Sequence, residues 1–162
     1  MKAVYYTKYG SPDVLTIKEV DKPVPKDNEV LVKVNAASIN SWDWDMIRGK
    51  PLVVRMWGLF KPKYKIPGCD IAGRVEAIGK NVKKFKPGDD VYGDMCESGF
   101  GAFAEYKSAK ENALALKSPA MSFEQAAATP QAAMMAVQAL RDVGKIKPGQ
   151  KLLINGAGGA VG

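Results

Sequence analysis

The sequence predicts a mixed fold, in which a small β-barrel or sandwich gives way to alternating helix and strand. Two observations carry this. Up to about residue 118, short apolar stretches recur between turns rich in glycine and proline. After Pro119 the apolar spacing becomes helical, and Lys151 to Asn155 then reads as the start of a buried strand leading into a small-residue loop. The 162 residues suffice for one domain with a core and part of a second.

In chain order, Lys2 to Tyr6 and Val14 to Val20 read as two strands joined by a Gly-Ser-Pro-Asp turn. Pro23 and Pro25 break the chain. Glu29 to Ala37 sets Val30, Val32 and Val34 against Leu31, Lys33 and Asn35, a strand with one strongly apolar face. A short helix follows, capped by Ser41 or Asp43 and ended by Gly49. Residues 50 to 67 hold three prolines and read as loop, with an apolar Leu52 to Phe60 stretch suited to covering a cleft or meeting a partner. Ile71 to Ile78 is a strand among glycines 68, 73 and 79. Val91 to Gly93, Ala102 to Tyr106 and Ala113 to Leu116 are further strands. Ser122 and Gln125 have the spacing of a capping box for a short helix to Ala128. Gln131 to Val143 is a longer helix closed by Gly144, and the character of the chain changes between 117 and 121.

Composition narrows the function. No apolar run approaches the roughly 20 residues of a membrane helix, and the N-terminus lacks a secretory apolar segment, so a cytoplasmic protein without membrane partners is expected. The formal charge is +7, but the lysines are spread along the chain and only Arg48, Arg55, Arg74 and Arg141 are arginines. A solvated surface explains this better than a nucleic-acid site. With no histidine and only Cys69 and Cys96, no metal site is expected, and the cysteines read as separate thiols rather than a disulfide.

Three stretches then point to a family. They are Pro67-Gly68-Cys69-Asp70-Ile71-Ala72-Gly73-Arg74-Val75-Glu76-Ala77-Ile78-Gly79; Gly101-Ala102-Phe103-Ala104-Glu105-Tyr106 with the later Ser122 to Ala128; and Asn155 to Gly162. In that order they resemble the zinc-independent medium-chain dehydrogenase/reductases of the quinone oxidoreductase-like kind. The resemblance implies a GroES-like, partly open β-barrel as catalytic domain over 1–120. It also implies the first helix and strand elements of a truncated Rossmann domain over 121–162, so that the chain is the N-terminal part of a longer enzyme. Zinc-binding relatives place a cysteine near Asn40 and a His-Glu pair after Gly68, where this chain has Ser38, Asn40, Cys69 and Asp70.

The implied reaction is hydride transfer from NADPH (or NADH) to a quinone, enone or enal. The cofactor-binding residues would be Gly156, Ala157, Gly158, Gly159, Ala160, Val161 and Gly162, whose small side chains let a diphosphate approach the backbone. Asn40 matches the family's asparagine beside the nicotinamide, where it would bond the carboxamide or a substrate carbonyl. It also stands where it can cap the following helix. Asp43 would orient a neighbour or cap. Trp42, Trp57 and Trp44 read as core more than as substrate walls. Many relatives carry Thr-Ala where this chain has Met135-Ala136, and a thioether cannot donate the threonine's hydrogen bond. The phosphate site needs a helix after the loop, so residues 1–162 alone are expected to bind dinucleotide weakly. A stand-alone GroES-like binding or assembly module, or a homodimer joined through the terminal strand, is the other expectation.

Overall fold

In a computed structural model, residues 1–162 are described throughout, and five antiparallel strands form the main sheet. These strands are β3 (Glu29–Ala37), β4 (Asp70–Ile78), β5 (Asp90–Asp94), β6 (Tyr106–Lys110) and β7 (Leu114–Leu116), in the order β6-β3-β4-β5-β7. A separate hairpin pairs β1 (Lys2–Tyr5) with β2 (Thr16–Glu19) and is tied to the rest by a bridge between Ala3 and Ala104. The main core lies on one face of the five strands, with Val30, Val32, Ile71, Val75, Val91 and Phe85 at its centre. Leu31 is buried as well, so the first half of β3 is covered on both faces and its alternation is less clean than its residues suggest. A register shift between Leu31 and Val32 accompanies this.

Gly73, within the Gly68–Gly79 stretch, is required by the packing of the neighbouring strand. A Cβ there would run into the Lys33 carbonyl oxygen of the neighbouring strand. Gly68 has φ +102°, and its bare backbone lies against Ala102 and Phe103, which donate to Gly68 and Pro67 carbonyls at 3.1 and 3.0 Å. That pairing also explains why Ala102 to Glu105 is not the strand expected there. Its bonds go to residues 67 and 68 and to the hairpin, with one from the Val34 N–H of β3 to the Glu105 carbonyl, and the paired ladder begins at Tyr106, opposite Lys33.

Helix α1 (Ser41–Arg48) leaves the end of β3 and stops at Gly49 in the left-handed conformation, φ 64°. Helix α2 (Phe123–Ala127) has the expected box: Gln125 N–H donates to the Ser122 hydroxyl at 3.2 Å, and Ser122 N–H to the Gln125 side chain at 2.9 Å. Its Ala126 and Ala127 pack on Ala72 of β4, so residues just past 121 share the core of the sheet. Helix α3 (Pro130–Val137) continues into a wider π-type turn over Gln138–Val143.

Residues 151–155 do not form a strand. No neighbouring strand offers them a partner, and the only backbone hydrogen bonds beyond Lys151 are Gly159 to Gly156 and Gly162 to Gly159. No helix is long and apolar enough to cross a membrane.

Candidate functional site

The end of β3, the start of α1, the start of β4 and the start of α3 meet at one buried carboxylate, Asp70. The antiparallel register that pairs Ala37 with Ile71 places Ser38 beside it, and the Ser38 N–H donates to the Asp70 carbonyl at 3.3 Å. Asp70 Oδ2 then accepts three donors: the Asn40 amide at 3.1 Å, the Gln131 N–H at 3.2 Å and the Ser38 hydroxyl at 3.4 Å. The other oxygen, Oδ1, is buried without a partner. Burial pushes the Asp70 carboxyl up to about 6, a shift that the Gln131 and Asn40 hydrogen bonds oppose and the nearby Asp94 and Asp43 charges reinforce.

Asn40, rather than Ser41 or Asp43, occupies the N-cap of α1. Its N–H donates to Asp43 Oδ2 at 2.8 Å, so Asp43 closes the box from the third helical position. The Asn40 amide donates to Ser38 Oγ at 3.1 Å as well as to Asp70, which commits both amide hydrogens. Its side-chain oxygen, which the box sets toward the Asp43 N–H, keeps a lone pair as an acceptor. Asp43 is fully buried, its Oδ1 has no partner, and desolvation raises its carboxyl above the usual range.

Cys69 lies between the two aspartates, fully buried, with its thiol toward Asp43. Its sulfur accepts the Cys96 thiol at 3.3 Å. The two cysteines are free thiols, as expected, and they lie in contact. One carboxylate oxygen of Asp94 lies within 4.8 Å of both sulfurs, a three-donor cluster without imidazole that falls one ligand short of a closed tetrahedral metal site.

Beside this node lies a cleft of about 620 Å³ lined by Trp42, Trp57, Tyr64, Phe100, Cys96 and Gln131. Trp57 sits edge-on to Trp42 at 5.8 Å and to Phe100 at 6.1 Å between ring centres. These tryptophans are thus both core and wall: they cover Met46 and Val54 and face the cleft. Trp44 is exposed, beneath the Arg48 guanidinium at 5.3 Å. A larger hollow of about 750 Å³ at Lys26–Glu29 and Lys110–Asn112 has no apolar lining and none of these groups.

The structure brings Asn40 and Asp43 together with Asp70, Cys69, Cys96 and Gln131, four residues that the sequence did not single out for this role. Asn40 and Asp43 were each legible as possible caps, but not as a box, whereas the Asp70–Gln131 contact joins residues 61 positions apart and leaves no local signal. Met135 is half exposed on α3. Gly156, Ala157, Gly158, Gly159, Ala160, Val161 and Gly162 lie apart from the node, solvent-exposed, with no hydrogen bond to it. Gly156 holds φ +80°, and a Cβ at Gly156 or Gly158 would meet nothing within 4 Å, so this backbone is open to approach.

The family model described as the alcohol dehydrogenase GroES-like domain matches residues 26–120. The chain belongs to this family. The chain is 39% identical over 173 aligned positions to a 2-methylene-furan-3-one reductase of Solanum lycopersicum, an alignment that covers all of this chain and 42% of the relative. It is also 39% identical over 170 residues to a quinone-oxidoreductase homolog, chloroplastic, of Spinacia oleracea, again over all of this chain and 50% of that protein. Among solved structures, the Escherichia coli quinone oxidoreductase complexed with NADPH superposes with a TM-score of 0.78 at 28% identity, over 91% of this chain and 43% of that one. The chain therefore spans about half the length of the curated relatives it matches.

Proposed function

We propose that this GroES-like chain supplies the substrate-side half of an NAD(P)H-dependent reductase. It would move hydride to a quinone or an α,β-unsaturated carbonyl without zinc. The observation that carries this reading is the Asn40–Asp70 node at the edge of an aromatic cleft, in a chain whose relatives include a 2-methylene-furan-3-one reductase and a quinone-oxidoreductase homolog. With both amide hydrogens committed, Asn40 fits best as an acceptor for a carboxamide N–H, and the walls of Trp42, Trp57 and Phe100 suit a flat, electron-poor ring.

NADPH is the cofactor we favour, since a structural relative was solved with it. The residues that would hold its diphosphate are Gly156 to Gly162, where the open backbone at Gly156 and Gly158 fits close approach. Bound there, it would supply the hydride, while this chain orients the ring and excludes water. Asp43 acts by fixing Asn40 rather than by touching the reacting atoms. We further propose a division near residue 120, with 121–162 opening a nucleotide-binding domain, and a cytoplasmic setting. The alternative, a binding or assembly module without catalysis, has no site of its own to match this node.

The test is NADPH consumption at 340 nm with a panel of quinones, enones and enals, using the longest natural polypeptide that contains residues 1–162. Turnover that survives a chelator supports the proposal, while no turnover with any acceptor would end it. Residues 1–162 alone should bind NADPH weakly, and a low-micromolar affinity would contradict that part.

A further inference from the structure

We infer that Cys69 and Cys96 are a thiol pair built to close into a reversible disulfide at the wall of the aromatic cleft, with a hydroperoxide as the oxidant. The fold places them. The register that pairs Asp70 with Asp94 carries both strands one step further, where the Met95 N–H donates to the Cys69 carbonyl at 2.7 Å. The turn over Cys96–Ser98 then folds Cys96 back over Cys69. The sulfurs are 3.3 Å apart with nothing between them, so a disulfide requires an approach of only about 1.3 Å from that distance.

The two sulfurs are not equivalent. Cys69 is sealed in the core, and the Cys96 hydrogen bond, burial and the Asp43 carboxylate, in that order, disfavour its thiolate. Cys96 is half-buried and lines the cleft, where a small oxidant can reach it. Cys96 is therefore the attacking thiol and Cys69 the resolving one. In the first step the Cys96 sulfur attacks one peroxide oxygen and the O–O bond breaks, giving a sulfenic acid and one water. In the second step the Cys69 sulfur attacks the Cys96 sulfur and the S–O bond breaks. The hydroxide takes the Cys69 proton and leaves as the second water. Two thiols lose two electrons, and one peroxide becomes two waters. The closed pair pins the turn after β5 to the start of β4 and draws the Cys96 sulfur away from the cleft. This inference rests on the geometry of the pair and does not require the reductase reading.

The experiment treats the native chain with hydrogen peroxide, blocks free thiols with N-ethylmaleimide and measures intact and peptide mass. We expect both thiols to become unavailable for labelling and the tryptic peptides 66–74 and 85–107 to be joined, with dithiothreitol separating them again. In Cys69→Ala, Cys96 should accumulate as a sulfenic acid trapped by dimedone. In Cys96→Ala, Cys69 should stay reduced at the same peroxide dose. Two thiols that remain labelled after peroxide, a wild-type Cys96 that passes to sulfinic acid without crosslinking, or a crosslink found only between two chains would each overturn the inference.

Discussion

Asp70 is a carboxylate held where water cannot reach it, with every donor on one oxygen and none on the other. Its pKa of about 6 lies above the ordinary 3.8 because burial penalises the charge more than three hydrogen bonds repay. The folded chain therefore holds the Asp70 proton more tightly than the unfolded chain does. The contribution to stability is fully present below pH 4 and is lost as pH rises toward about 6. Asp70→Asn keeps an acceptor for Asn40, Ser38 and Gln131 and removes the titration. Urea midpoints measured from pH 4 to 7 should show the variant gaining on the native chain across that window and holding its gain above it. A constant difference at every pH would show that Asp70 is not the titrating group. At Asn40 the expected outcome is different in kind. Asn40→Ala removes a helix cap and two donors at once, which costs about 1–3 kcal/mol in chemical denaturation. If the proposed reductase reading holds, its loss in the longer polypeptide should raise KM for the dinucleotide more than it lowers kcat. A pure kcat loss would move Asn40 from the cofactor to the substrate.

Elements respond to backbone spacing more than to charge. β3 and β4 lie so close at Gly73 that a methyl group would meet the Lys33 carbonyl, and neither strand can yield without breaking its ladder. Gly73→Ala is expected to cost about 1–3 kcal/mol, the range of overpacked cores, in the thermal unfolding free energy. An unchanged midpoint would mean that the strands can part. This element was legible in the sequence: apolar alternation and flanking glycines marked β3 and β4, and the Ser122–Gln125 spacing marked α2. The failures share one cause. Ala102 to Glu105 and Lys151 to Asn155 both have strand-like residues, yet a strand is defined by its partner. The first finds most of its partners at residues 67 and 68 and in the hairpin, with only Glu105 reaching β3, and the second finds none. The candidate site divides in the same way. Asn40 and Asp43 lie on one short helix and were visible as a local pattern. Asp70, Gln131 and the Cys69–Cys96 contact depend on chain crossings that no local spacing records.

Over the whole molecule, a basic surface encloses an acidic node. The net charge is +7, yet the Asp94 charge raises the cost of ionising both buried aspartates, Asp43 adds to that of Asp70, and no cation is paired to either. At the other end of the chain the imbalance is apolar. Leu153 is 92% exposed and Leu152 and Ile154 about half, beside a helix that shows Met134, Met135 and Val137 to solvent. Such a surface, with its backbone groups unpaired, favours association with a like surface. The positive charge opposes that contact at low salt and is screened at about 0.15 M, where the Debye length is roughly 8 Å. The 162-residue chain should therefore self-associate with rising concentration, and more strongly with added salt. Leu153→Lys should abolish this without changing the melting temperature, since residues 151–162 make no hydrogen bond to the rest of the chain. Sedimentation velocity over a hundredfold concentration range reads the association, and hydrogen exchange reads the tail. A monomer throughout that range, with slow exchange over residues 151–155, would mean that the segment has found a partner within its own chain, and the homodimer reading would fall with it.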